Sequence, residues 1–222
     1  MKCKTCNETC IKKGFQKNGT QKFRCKKCCK WQHENYRYRA YDKLTDKNIV
    51  VLLKEGCGTR SISRILEIST TTVTKRIFLV ASTIRKPPIL FGKSYEMDEM
   101  MTFIGCKERK ICITYAIDRV TKDVVSYSVG RRNKTTLGMV VNTLLLSAPT
   151  EIRTDKFSLY STLIPENIHN TKCRGTNYIE RKNLTLRTHL KRLNRKTLAY
   201  SKSLLVLIAV LKIYFWYEIN LP

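Results

Sequence analysis

Residues 95–129 hold three consecutive strand-like runs: YEMDEMMTFIG (95–105), KICITYAI (110–117) and DVVSYSV (123–129). Tyr, Ile, Val, Thr and Phe crowd these runs, and such side chains suit a pleated, half-buried surface. Residues 118–122 between the second and third runs carry turn chemistry, with Asp118 and Asp123 bracketing the turn. Beyond residue 130 the pattern changes. Residues 134–146 read as a helix, 151–154 as a short strand, 157–163 as a helix and 169–173 as another short strand, and a long helical stretch begins near Tyr178. Three strands in a row, then helix alternating with strand, predict a mixed sheet flanked by helices. That order is the one of an RNase-H-like fold. Residues 204–217 are very apolar but contain Lys212. They fall short of the roughly 20 apolar residues a bilayer span needs, so a buried C-terminal helix is expected.

Upstream, two smaller modules are legible. Cys3-Lys-Thr-Cys6 and Cys25-Lys-Lys-Cys28 flank residues 11–15, an Asn18-Gly19 pair and residues 21–24. Asn-Gly is the preferred two-residue hairpin turn because both positions tolerate positive φ. A hairpin brings the two pairs to one end, where four thiolates can close a tetrahedral Zn²⁺ site. A segment this small cannot bury enough apolar surface to fold alone, so the metal is expected to be a structural staple. Cys10, Cys29 and His33 are possible substitute ligands that break the paired spacing. The remaining cysteines, Cys57, Cys106, Cys112 and Cys173, show no ligand spacing and read, like Cys10 and Cys29, mainly as small apolar residues. The paired spacing suits a reducing compartment better than a disulfide framework does.

Residues 44–84 read as three helices. Leu44-Thr45-Asp46 resembles a helix start, Gly56 and Gly58 interrupt the chain, and Ser69 is placed to cap a third helix with Val73, Ile77 and Val80 inward. Two short helices joined by a tight turn make a helix-turn-helix pattern. Thr71, Thr72, Lys75 and Arg76, at the start of its second helix, would meet base edges and phosphates. Pro87-Pro88 then forms a stiff joint. The expected organisation is a zinc ribbon (1–40), a helix-turn-helix with linker (41–88) and an RNase-H-like α+β or α/β domain (89–222).

Charge points the same way. The 222 residues carry 43 Lys+Arg against 17 Asp+Glu, a formal net charge of +26, while 42% are hydrophobic. A basic disordered tail is thereby excluded, and a polyanionic partner is implied, because neutralising phosphates releases counterions. Met1 leads straight into the first Cys pair with no leader pattern, and no membrane association is expected. Among so few acids, Asp98 (flanked by Glu96 and Glu99), Asp155 and Glu180 fall on the first strand, the end of the fourth and the following helix. Carboxylates are the ligands suited to hard Mg²⁺ or Mn²⁺ ions. Read singly, Glu180 is a helix-start acid, Asp155 an N-cap and Asp98-Glu99 a surface strand pair. If residues 178–198 are helical, Glu180, Asn183, Arg187 and Lys191 share a stripe, and Ile179, Leu186, Leu190 and Leu193 line another.

These residues also carry a resemblance. Residues 97–105 (MDEMMTFIG), 154–160 (TDKFSLY), 179–188 (IERKNLTLRT) and 191–197 (KRLNRKT) resemble the acid regions and basic tail of the insertion-sequence-one family of bacterial transposases. Asp155 and Glu180 stand at the interval of that family's Asp-Asp-Glu triad. The resemblance implies that Asp98, Asp155 and Glu180 bind two Mg²⁺ or Mn²⁺ ions, and that Arg187, Lys191, Arg192 and Arg195 grip phosphates. It further implies a DNA transposase acting on double-stranded DNA, at element terminal inverted repeats and target sites, as a homo-oligomer in a bacterial or archaeal cytoplasm. Asp98 is preferred to Glu96 and Glu99 by the resemblance; strand alternation puts Glu96 and Asp98 on one face. The other readings of the residues are a zinc-ribbon, helix-turn-helix regulator without catalysis, and an RNase-H-like DNA nuclease.

Overall fold

Strand-forming side chains along Cys10–Phe15 (β1) and Gln21–Cys25 (β2) pair these runs antiparallel, and Gly19 at φ 77° serves the turn between them. Trp31–His33 (β3) adds a third strand on β2 that is too short to read from sequence. The computed structural model describes residues 1–17, 19–33, 40, 42, 44–172, 175–194 and 196–218; Asn18, Cys173 and Arg195 lie outside them. The chain divides into two units, Met1–Thr45 and Asp46–Pro222. The core of the first unit is little more than Cys3, Cys10, Phe23 and Cys25, with Met1, Cys6 and Cys28 against them.

The second unit begins with helices Thr45–Lys54 (α1), Thr59–Leu66 (α2) and Thr70–Thr83 (α3). Ile49, Leu53, Ile62, Val73 and Ile77 bury the faces expected from their spacing. Ser69 caps α3 by accepting the Thr72 N–H at 3.0 Å, satisfying one of the donors a helix start leaves free. The α1–α2 turn depends on Gly56: at φ 79°, a Cβ there would sit 2.2 Å from the His189 carbonyl oxygen.

The sheet is five-stranded. Ser94–Phe103 (β4), Lys110–Asp118 (β5) and Val124–Gly130 (β6) form an antiparallel meander, with Lys134–Leu145 (α4) after it. Glu151–Arg153 (β7) then pairs parallel to β4. Ser158–Leu163 (α5) leads to His169–Asn170 (β8), parallel to β7. The strand order β6-β5-β4-β7-β8 is the RNase-H-like arrangement expected above. The Asp118 carboxylate accepts the Val120 and Thr121 N–H groups, so the β5–β6 turn uses it as expected.

One face of the sheet packs Tyr95, Met97, Ala116 and Val125 against Leu137, Val140, Val141 and Leu144 of α4 and Tyr160 of α5. Across the other lie Asn177–His189 (α6) and Leu204–Trp216 (α7). Phe215 of α7 stacks near-parallel on Tyr115 at 5.8 Å, and Trp216 donates to the Val124 carbonyl at 2.6 Å. The apolar C-terminal run is thus a buried helix, and among the described residues no helix is long and apolar enough to cross a membrane. The helix over 178–198 is shorter than its periodicity predicts: α6 ends at His189, and Lys191–Leu193 form a separate 3₁₀ turn after Leu190 leaves helical geometry at φ −102°, ψ 87°.

Candidate carboxylate and thiolate centres

Strand alternation sends Asp98 and Glu99 to opposite faces of β4, yet both reach one site. The reason is where β7 stops. Its pairing with β4 ends at Arg153 opposite Glu96, so β7 does not accompany β4 past that point. Asp155 follows two residues after the last strand residue of β7, and one oxygen from each of Asp98, Glu99 and Asp155 falls in a group whose members lie within 4.8 Å of one another.

The three acids are held differently. Asp98 accepts the Glu99 N–H at 2.7 Å through Oδ1 and the Asn183 amide at 2.6 Å through Oδ2. Burial pushes the Asp98 carboxyl up to about 6, helped by the negative charges of Glu99 and Asp155 and opposed by those two hydrogen bonds. The Glu99 side chain is only 4% exposed, and Arg132 meets its Oε2 at 3.3 Å. Burial raises its pKa too, against the lowering effect of Arg132. The buried Glu99 carboxylate lies against the Tyr160 hydroxyl, and among the described residues its Oε1 makes no hydrogen bond of good geometry. Asp155 is exposed and accepts the Phe157 N–H at 3.0 Å, so it turns the chain into α5 without capping that helix. Arg132 also lies over the Phe157 ring at 3.6 Å. Three carboxylates with oxygens within 4.8 Å of one another, of which only Glu99 is paired with a guanidinium among the described residues, are a donor set that fits a divalent cation.

Glu180 occupies the first turn of α6, exposed, and accepts a hydrogen bond from Thr176 Oγ1 at 3.0 Å. It is outside the group of three acids. Glu96 does other work. Fully buried, it pairs with Arg119 at 3.0 Å and accepts the Tyr178 and Ile179 N–H groups, each at 3.0 Å. It therefore caps α6 from the neighbouring strand, where a carboxylate also complements the helix dipole. Sequence reasoning weighed Glu99 only as an alternative to Asp98, not beside it, and missed the role of Asn183 and this use of Glu96; the position of Asn183 one turn after Glu180 was a signal.

The other expected contacts are dispersed. Thr71 and Lys75 are exposed on α3, Thr72 Oγ1 is engaged with Ser69, and Arg76 pairs with Asp46 at 3.3 Å. Arg187 and Lys191 lie beside a groove lined by Leu184, Thr188, Asn194 and Lys196. Arg192 is half-buried and donates to Ser201, and burial lowers its pKa. Arg195 lies outside the described residues.

In the first unit, Cys3, Cys6, Cys25 and Cys28 place their sulfurs within 4.8 Å of one another, an arrangement that could hold Zn²⁺. Burial works against a Cys3 thiolate, but backbone N–H groups of Cys6 and Thr5 and the nearby thiols bring it down to about 5. The Cys28 N–H likewise lowers Cys25. Gln32 Nε2 approaches Cys3 Sγ at 2.7 Å, orienting a ligand from outside the cluster. Cys10, opposite Cys25 in the ladder, is buried beside the four. The reading of the remaining cysteines as small apolar residues holds for Cys10 and Cys112 but is corrected for Cys29 and Cys106, which are exposed. His33 bonds Gln16 at 2.8 Å.

Residues 93–219 match the IS1 transposase family. Over 111 residues the chain is 40% identical to the insertion element IS1 2 protein InsB of Escherichia coli K12, covering 49% of this chain and 65% of that protein. It is equally identical to an IS1 InsB protein of Shigella sonnei, covering 82% of it. The chain thus spans just under two thirds of the Escherichia coli relative. Among solved structures, the HTLV-2 integrase catalytic core in complex with magnesium aligns with 58% of this chain and 86% of its own, at TM-score 0.34 and 16% identity. A simian T-cell lymphotropic virus intasome aligns at TM-score 0.33 and 16% identity, covering 64% of this chain and 59% of that one. With a family match across more than half its length, over the segment that carries the acid cluster, the chain belongs to the IS1 transposase family.

Proposed function

We propose that this chain is a DNA transposase that hydrolyses DNA at the ends of its element and joins the freed 3′-hydroxyl to target DNA. The observation that carries the reading is the convergence of Asp98, Glu99 and Asp155 at the notch where β7 ends, within one family segment with Glu180. Asp98, Asp155 and Glu180 would hold two Mg²⁺ or Mn²⁺ ions, with Glu180 exchanging its Thr176 bond for that role. When bound, such ions supply Lewis-acid stabilisation of the attacking and leaving oxygens. The protein's own part is positional. Asp98 is held from two sides, Glu99 and Arg132 set the local charge, and the groove beside Arg187, Lys191 and Lys196 gives phosphates a path. Arg192 and Arg195 belong to the same basic segment.

Zn²⁺ held by Cys3, Cys6, Cys25 and Cys28 would staple a DNA-binding module over residues 1–40. The helix-turn-helix over 41–88 would present Thr71, Thr72, Lys75 and Arg76 to the terminal repeats, leaving 89–222 as the catalytic domain. Joining two ends calls for a homo-oligomer on DNA. The test is zinc-loaded protein with end-containing duplex and Mg²⁺. Nicked ends and strand-transfer products are expected from wild type, with both lost and DNA binding kept in Glu180→Gln. Cleavage persisting in Glu180→Gln would remove that residue from the site, and binding without any cleavage by wild type would refute the enzymatic reading.

A further inference from the structure

Asp98 and Tyr115 are direct cross-strand partners on β4 and β5, so their side chains share the face that α6 covers. Asn183 of α6 bridges them. Its Nδ2 donates to Asp98 Oδ2 at 2.6 Å, and its Oδ1 accepts from the Tyr115 hydroxyl at 2.8 Å. The direction of this chain is dictated at both ends. A carboxylate only accepts, so Asn183 must turn its NH₂ toward Asp98. Its carbonyl oxygen then needs a donor, and the Tyr115 hydroxyl supplies one. Tyr115 has one proton and a second acceptor nearby, the Ile179 carbonyl at 3.4 Å; the shorter contact is with Asn183. The phenol is itself fixed: Tyr115 is fully buried and stacks on Phe215 of α7.

We infer that Tyr115 and Asn183 form a relay that fixes the orientation of the Asp98 carboxylate toward its metal ion, making Asn183 a positioning residue of the reaction. The inference rests on the proposal that Asp98 holds metal. A flipped Asn183 amide would set its oxygen against the carboxylate, and Asp98 would then be free to turn away from the Glu99 and Asp155 side. The buried C-terminal helix acquires a functional consequence, because Phe215 braces the phenol that orients the amide.

The test is Mn²⁺ binding to the zinc-loaded full chain without DNA, read from the electron paramagnetic resonance signal of free Mn²⁺, for wild type, Asp98→Ala, Asn183→Ala and Tyr115→Phe. Partners that orient a metal ligand typically cost 10–100-fold in metal affinity when removed, so Asn183→Ala should weaken Mn²⁺ by about that factor. Tyr115→Phe keeps the ring against Phe215 and loses one hydrogen bond, so it should weaken Mn²⁺ by about fivefold. In DNA cleavage, both variants should raise the Mg²⁺ concentration for half-maximal rate more than they lower the rate at saturating Mg²⁺, a split that mere loss of packing would not give. If Asn183→Ala does not keep wild-type cooperative unfolding, Tyr115→Phe decides. A variant that folds as wild type and binds Mn²⁺ within about twofold of it overturns the relay and leaves Asp98 as a ligand. Equal Mn²⁺ binding by wild type and Asp98→Ala overturns the metal assignment itself, and the relay with it.

Discussion

Asp98→Asn should make the metal-free protein more stable while abolishing its activity. The wild-type carboxyl is raised from 3.8 to about 6 in the folded chain, chiefly by burial. Those roughly two units correspond to about 3 kcal/mol at neutral pH. The sign follows from proton binding: between pH 3.8 and about 6 the folded state binds more protons at Asp98 than the unfolded state, so stability falls as pH rises. The stability from this group is fully present below 3.8 and lost as pH rises through about 6. An asparagine does not ionise and avoids that loss. It cannot accept both the Glu99 N–H and the Asn183 amide as the carboxylate does, which costs about 1–2 kcal/mol. The net gain at pH 7.5 is then about 1–2 kcal/mol, and it should shrink by about 1.4 kcal/mol on going to pH 5. Urea unfolding followed at Trp216, in a Trp31→Phe background and zinc-containing buffer without Mg²⁺, reads both values. An Asp98→Asn variant less stable than wild type, or a difference independent of pH, would refute the picture of a desolvated acid held among like charges.

Three other perturbations test separate parts of the structure. Gly56→Ala would place a Cβ 2.2 Å from the His189 carbonyl oxygen at a φ of 79°, and should cost about 2–4 kcal/mol in the same unfolding assay; a loss under about 0.5 kcal/mol would contradict the close approach of the α1–α2 turn to α6. Cys25→Ser, at a position 1% exposed, should abolish stoichiometric zinc and leave the first unit sensitive to protease, because such sites supply folding free energy; full zinc content would show that Cys25 is dispensable. Arg132→Met removes the cation that lowers the Glu99 carboxyl, so the acid limb of the cleavage-rate profile should move to higher pH; an unmoved limb would separate Arg132 from the site.

Periodicity carried the meander, the α3 cap, the Cys-paired hairpin and the buried C-terminal helix, because each is set by side chains close together in sequence. It did not carry the end of α6. Leu190 and Leu193 keep apolar spacing and are buried, yet Leu190 turns out of the helix and puts Lys191 on a 3₁₀ turn. Local spacing reports which residues face inward; tertiary packing decides whether the backbone stays helical to get them there. The acids show the same limit. Alternation separates Asp98 from Glu99, and only the end of β7 at Arg153 lets both meet Asp155. Glu96 shares a face with Asp98, but its hydrogen bonds to Tyr178 and Ile179 depend on where α6 starts, some 80 residues away along the chain. Asn183 looked like a stripe residue beside Glu180, and nothing local signals that its amide bridges Tyr115 and Asp98.

The central claim is that this notch holds the ions that act on DNA. A crystal of the chain with end-containing duplex and Mn²⁺, examined by anomalous scattering, tests it most directly. Manganese peaks at the notch are predicted, where Asp98, Asp155 and Glu180 would hold the ions once Glu180 leaves Thr176. Manganese bound elsewhere on the chain, with Asp98 and Asp155 free of it in a DNA-bound complex, would contradict the account.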